Sequence, residues 1–348
     1  MAYGWFFIQR QLAPLAEREL TDLLNRPVKV GQVEGFSWRG LRFGASKILA
    51  TPTDPAHASV VAVDVTFNPI QLLIHRQLNL DVNLVEPDIY FQQGKNRDWL
   101  LTKLDKPNKR KKKLIEVEVQ TIHFQEAEAV LVARSLTQTL QPPVKLLIPS
   151  GQMRFPQNTD LIEFDLAGNL VKGGKIQVSG SANTETDAIN LLVSANNVQA
   201  TEVGHLIPLP FKLQTGQVGG NLEVQLRKEK PAALRGIASL KNVTARFPAL
   251  TQAFAQSNGQ LRFNGYQILL DNVTSRFGSI SGVANGIIDT QKETLSLKAQ
   301  TPPIQIAQVL QALKLKAPPV KILGEIKAEI QVTGAQHKPK LLIAVATT

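Results

Sequence analysis

From Val320 to Val332 every second residue is apolar or glycine: Val320, Ile322, Gly324, Ile326, Ala328, Ile330 and Val332 stand against Lys321, Leu323, Glu325, Lys327, Glu329 and Gln331. Successive side chains of a β-strand point to opposite faces, so the stretch reads as a strand with one greasy and one solvated side. The same alternation places Val218, Gly220, Leu222, Val224 and Leu226 on one face of "VGGNLEVQL", and Leu295, Leu297 and Ala299 on one face of "TLSLKAQ". An apolar sheet face must be buried against something. Beyond Ser150 only two short stretches, near 201–207 and 304–315, have helical character, which is too little to supply the cover. The sheet is therefore expected to curl onto itself, as a barrel, a sandwich or an open trough. The final "KPKLLIAVATT" stops in mid-strand without a capping helix or charged terminal edge, so we expect a piece of a longer open stack.

The strands also repeat. "NVTARF" (242–247) returns as "NVTSRF" (272–277), which as strands place Val243, Ala245 and Phe247, or Val273, Ser275 and Phe277, on one side and Arg246 or Arg276 on the other. "QVSGSAN" (177–183) returns 102 residues later as "SISGVAN" (279–285), "TEVGHL" (201–206) lies opposite "QIAQVL" (305–310), and "VGGNLEVQL" (218–226) opposite "ILGEIKAEI" (322–330). This predicts a unit of roughly a hundred residues, its adjacent rungs repeating one solution with Phe247 and Phe277 turned inward.

Upstream, Ile8, Leu12, Leu15, Ala16, Leu20, Leu23 and Leu24 form an apolar stripe at helical spacing, predicting an amphipathic helix over about 5–24, kinked at Pro14. Trp5, Phe6 and Phe7 are far too few to span a bilayer, but they suit its interface. Strand signals dominate from Val28 to Phe91, with a short helical link at "NPIQLLIHRQ". More strands follow, then a proline-marked link at "QPPVKLLIPSG". The expected division is a membrane-proximal helix (1–27), a β-rich domain with a basic loop at 103–113 (28–150), and the repeating groove (151–348).

The 39 Lys and Arg against 28 Asp and Glu leave a net charge of +11 over 348 residues. "KPNKRKKK" (106–113) supplies six of these positive charges. Such a run is either a solvated loop or, through Lys109, Arg110, Lys111, Lys112 and Lys113, a strip against anionic headgroups. Nucleic acid fits less well, because no aromatic residue interleaves with the lysines. Without cysteine there is no disulfide, thiolate metal site or cysteine nucleophile. The five histidines are scattered, "GNLVKGGK" misses the phosphate-loop spacing and reads as a turn, and no acid–base set stands out. We expect neither an enzyme nor a cofactor.

"LAPLAERELTDLLNRPVKVGQVEGFSWRGLRFGASKILATPTDP", followed by "VDVTFNPIQLLIHRQLNLDVNLVEPDIYF", resembles the N-terminal region of the TamB proteins of the AsmA-like superfamily, closest to the cyanobacterial and chloroplast-envelope branch. "NGQLRFNGYQILLDNVTSRFGSISGVANGII" resembles their repeated body. The resemblance implies an inner-membrane anchor and a body in the periplasm or envelope space, together with a TamA-like barrel protein of the outer membrane as partner. Its implied tasks are moving phospholipid between inner and outer membranes and assisting outer-membrane protein assembly or translocation. The expected fold is mainly β: an N-terminal amphipathic helix, then a long, curled antiparallel sheet forming an open trough with an apolar interior. Its lining is expected from Val218, Leu222, Val224, Leu226, Val243, Phe247, Phe277, Leu295, Leu297, Ile322, Ile326 and Ile330. A protein-translocation scaffold and a polyanion-binding module are the alternatives.

Overall fold

A computed structural model describes residues 13–14, 16–18, 20–21, 25–70, 74, 77–95, 99, 116–157, 159–207, 209, 211–227, 232–248, 252–312, 324–336 and 338–347. The fold is mainly β, with one large mixed sheet that is not closed. Contacts divide the chain into two units, the first comprising 1–171 and 177–187, the second 172–176 and 188–348.

The first unit holds β1 (Val28–Lys29), β2 (Val33–Ser37), β3 (Gly40–Phe43), β4 (Ser46–Ile48), β5 (His57–Val60), β6 (Ala62–Phe67), β7 (Gln77–Val85), β8 (Asp88–Gln92), β9 (Glu116–Val132), β10 (Val144–Arg154), β11 (Leu161–Leu170) and most of β12 (Lys175–Asn183). Its organising element is the 17-residue β9. One edge of β9 pairs antiparallel with β10. The other edge is shared, its first half pairing parallel with β7 and its second half parallel with β8. Glu126 marks the break with φ 53°, and Ala127 beside it is 2% exposed. Two branches leave β9 here, β7–β6–β3–β2 and β8–β5–β4–β1. The expected all-antiparallel sheet is therefore corrected. The chain between β8 and β9 is long enough for the crossover that parallel pairing demands.

The described residues between 13 and 21 are helical, and Ala13 packs on Val33 and Phe43. Side chains from this segment also satisfy strand backbone: Glu17 Oε2 accepts from Val30 N–H at 3.2 Å and Thr21 Oγ1 from Val28 N–H at 3.1 Å. Next to it the largely buried Arg26 guanidinium, 12% exposed, pairs with Asp54 at 3.3 Å and donates to the carbonyls of Leu49, Asp54 and Ala56. The stretch expected to be a proline-marked link is instead largely β10. Its ladder shifts register between Leu147 and Ser150, where Pro149 can sit without removing a pairing donor.

The second unit runs β13 (Ala188–Gln199), α1 (Ala200–Leu206), β14 (Lys212–Leu226), β15 (Ala233–Arg246), β16 (Phe254–Gly265), β17 (Gln267–Phe277), β18 (Ile280–Asp289), β19 (Thr294–Gln300), β20 (Ile304–Gln305), α2 (Ile306–Ala312), β21 (Glu325–Ala335) and β22 (Lys338–Thr347). Neighbours pair antiparallel in chain order, except that β19 passes over the two-residue β20 to pair with β21. Strand, helix and two long strands recur in order, as the hundred-residue repeat predicts. The twin NVT phrases lie on β15 and β17, which flank β16, so they are next-nearest rungs and not adjacent ones.

Each NVT phrase is a β-bulge. Asn242 and Asn272 adopt φ of 52° and 48°, as does Asn197 (51°) in "NNVQ". Asparagine tolerates this left-handed region better than most residues. The extra residue resets the alternation, so that Leu240 and Val243, three apart, share a face, as do Leu270 and Val273. The backbone N–H freed at each bulge finds a side chain on the next strand: Asn258 Oδ1 accepts from Asn242 at 2.9 Å, and Asn285 Oδ1 from Asn272 at 2.8 Å. A positive-φ glycine seats each following valine. A Cβ on Gly174 would lie 2.5 Å from the Val198 Cα, on Gly216 2.4 Å from that of Val243, and on Gly259 2.9 Å from that of Val273.

Gly216→Ala should therefore destabilise the protein by roughly 2–4 kcal/mol in denaturant unfolding, through backbone strain and overlap together. Gly265→Asn, at a turn with open space around it, should cost under about 1 kcal/mol. A second prediction concerns α1, where Glu202 is 1% exposed and accepts a 2.8 Å bond from Lys172 Nζ, with His205 Nδ1 3.9 Å away. In the aligned position α2 carries Ile306, packed on an apolar cluster. Lys172→Met should cost about 1–3 kcal/mol by stranding a buried carboxylate, while adding Glu202→Met should recover most of that loss.

Candidate functional site

Directly opposed residues in an antiparallel ladder share a face, so the register traces rows across the second unit. One row runs Val193, Leu222, Gly236, Phe263, Ile268, Ile288, Leu295. The next runs Ala195, Gly220, Ala238, Leu261, Leu270, Gly286, Leu297, Val332. Every member is apolar or glycine, and seven spacings of ~4.8 Å make the second row about 34 Å long. Gly220, Gly236 and Gly286 have φ of 152°, 135° and 147°, and a Cβ on any of them would come within 2.2 Å of a neighbouring carbonyl oxygen. These strands approach one another more closely at the glycines than side chains would permit.

The described residues among those expected to line a groove divide by burial. Val218, Leu222, Val224, Leu226, Leu297 and Ile330 are half-buried, whereas Val243, Leu295 and Ile326 are 1%, 5% and 5% exposed. Val243 is seated at its bulge. Ile326 packs with Ile280, Ile304 and Ala312, against which Phe277, Ile306 and Val309 close. Phe247 and Phe277 belong to a chain of rings along the strand ends. Phe211 to Phe247 is 4.8 Å between centroids, Phe247 to Phe254 is 5.8 Å edge to face, and Phe254 to Phe277 is 5.2 Å. The sequence reading missed Phe211 and Phe254. The NVT echo marked two of the four rings, and Phe254 becomes their neighbour only through the β16–β17 register. Ile322, Trp5, Phe6, Phe7 and Lys109, Arg110, Lys111, Lys112 and Lys113 lie outside the described residues.

The opposite face is mostly polar, though Leu192, Ile237 and Ile287 are exposed on it. Across β19 and β21 it carries a charged clasp. Glu329 accepts from Lys298 Nζ at 2.8 Å, Gln331 Nε2 at 2.9 Å and Gln300 Nε2 at 3.2 Å. The bond from Lys298, then those from Gln331 and Gln300, hold the Glu329 carboxyl down at about 2. Among the described residues no group of three or more His, Asp or Glu is placed to hold a metal ion, and no helix is long and apolar enough to cross a membrane.

Because the folded-state value of Glu329 is depressed, its contribution to the β19–β21 pairing is complete above the ordinary carboxylate range. It is lost as pH falls from about 4.5 through about 2. A carboxylate-detected NMR titration should place the Glu329 midpoint near 2, and Lys298→Met should raise it toward the ordinary range; an unmoved midpoint would contradict the clasp.

No protein-family model matches the chain, and no curated protein is similar to it.

Proposed function

We propose that the apolar face of the second unit is the inner wall of an open trough that holds phospholipid acyl chains, in a protein of TamB type that carries lipid between inner and outer membranes. The observation carrying this reading is the pair of rows that stay apolar or glycine across seven and eight strands while many of their side chains remain half-buried. Among the described residues of this unit the only helices are α1 and α2, each seven residues long, and Ile326 beneath α2 is already packed. The glycine positions support curling, since kinks at glycine are a means of bending a sheet.

Energetics favour such an occupant. Removing one methylene from water is worth about 0.8 kcal/mol, so a tail of about 16 carbons needs on the order of 10 kcal/mol of replacement contacts. Rows of Leu, Ile, Val, Phe and Ala, interrupted only by glycine, supply them without discriminating among headgroups, because they offer no fixed polar handles. The protein acts without chemistry of its own. It is anchored at the inner membrane with its body in the envelope space, and works with a TamA-like outer-membrane barrel in lipid supply and outer-membrane protein assembly.

Photo-crosslinking residues at Leu222 and Leu297, with Glu223 and Ser296 as controls on the other face, test the proposal by mass spectrometry of the adducts. Phospholipid should be captured at the first pair only, and Leu222→Glu should lower capture at Leu297 about tenfold by placing a charge among the tails. Equal capture on both faces, or none in a folded protein, would remove the lipid role and favour a scaffold for client proteins.

A further inference from the structure

We infer that the end of the first unit bearing Trp38 docks onto an anionic lipid surface. This goes beyond the trough and does not depend on it. The β2–β3 hairpin closes Ser37 onto Gly40 through a two-residue turn, Trp38–Arg39, with Ser37 Oγ accepting the Arg39 N–H at 3.3 Å. Such turns favour Asn, Asp and Gly. Trp38 is instead 63% exposed, and the Arg39 guanidinium lies 4.2 Å from its ring centroid. A tryptophan so placed adds little to the core.

A second exposed apolar group emerges at the same end. Gly40 pairs with Thr66, and Phe67 N–H donates to the Arg39 carbonyl at 2.9 Å, which holds the end of β6 beside the turn. Asn68 Oδ1 then accepts the Ile70 N–H at 3.0 Å, where the backbone becomes helical. Ile70 and Ile74, each helical, are 60% and 67% exposed. β7 begins here too, and because Gln77 pairs in parallel with Glu116, so does β9.

An exposed tryptophan against an arginine at a hairpin turn, with exposed isoleucines at the same end of the sheet, matches the headgroup layer, where tryptophan prefers to sit. Anionic lipid supplies the complementary charge. In the full chain carrying Trp5→Phe and Trp99→Phe, Trp38 is the sole tryptophan and reports on its own surroundings. Vesicles of equal parts phosphatidylglycerol and phosphatidylcholine should shift its emission to the blue, and brominated acyl chains should quench it. The combined Ile70→Ser and Ile74→Ser variant, both sites being solvent-facing, should bind these vesicles about tenfold more weakly. Leu222→Glu should leave the shift intact, which separates this surface from the trough. Unchanged emission at saturating lipid, or an equal shift on pure phosphatidylcholine, would overturn the inference.

Discussion

A sheet with one apolar face gains stability only if that face leaves water, and everything distinctive about the second unit follows from keeping the face continuous. A row survives from strand to strand only while the two-residue alternation stays in phase with the ladder. Each β-bulge inserts a residue, which would turn the rest of the strand inside out if the sequence pattern did not change with it. At 240–243 and 270–273 the pattern does change, the apolar positions falling three apart. The asparagine takes the left-handed conformation, the valine returns to the apolar side, and a glycine on a neighbouring strand leaves room for it. The repeated NVT phrase is therefore a record of a phase correction made more than once.

Part of the cover for the face is supplied by the protein itself. Along the strand ends, four phenylalanines and the cluster under α2 form a seam, and residues there are packed. Away from the seam, Leu222, Leu297 and Ile330 are only half-buried. The seam can hold the strands together while the middle of the face takes another apolar partner. This separation of structural from available surface is the physical content of the trough proposal.

The mainly β class, the two short helices and the hundred-residue recurrence were legible in the sequence because alternation and internal similarity are local signals. The fork at β9 was not. Whether Gln77–Val85 and Asp88–Gln92 pair with the two halves of one strand, and in parallel, depends on partners far along the chain. β10 was obscured by Pro142 and Pro143, which precede it, and by Pro149, which a register shift accommodates. Of the candidate lining, periodicity placed Leu222 and Leu297 together on the apolar face, as the register does. It could not separate these from Val243 and Ile326, whose burial is set by a glycine on one neighbouring strand and by α2.

The proposed trough requires that the middle of the apolar face be open to a lipid tail and not closed on itself. The chain has no cysteine, so Leu297→Cys supplies a single attachment point for a polarity-sensitive dye. An open trough should give water-like emission from the delipidated protein and a large blue shift when phospholipid is added, with a dye at Ser296→Cys unaffected. Emission at position 297 that is already blue without lipid and unchanged by it would mean that the face is sealed by protein and holds no lipid.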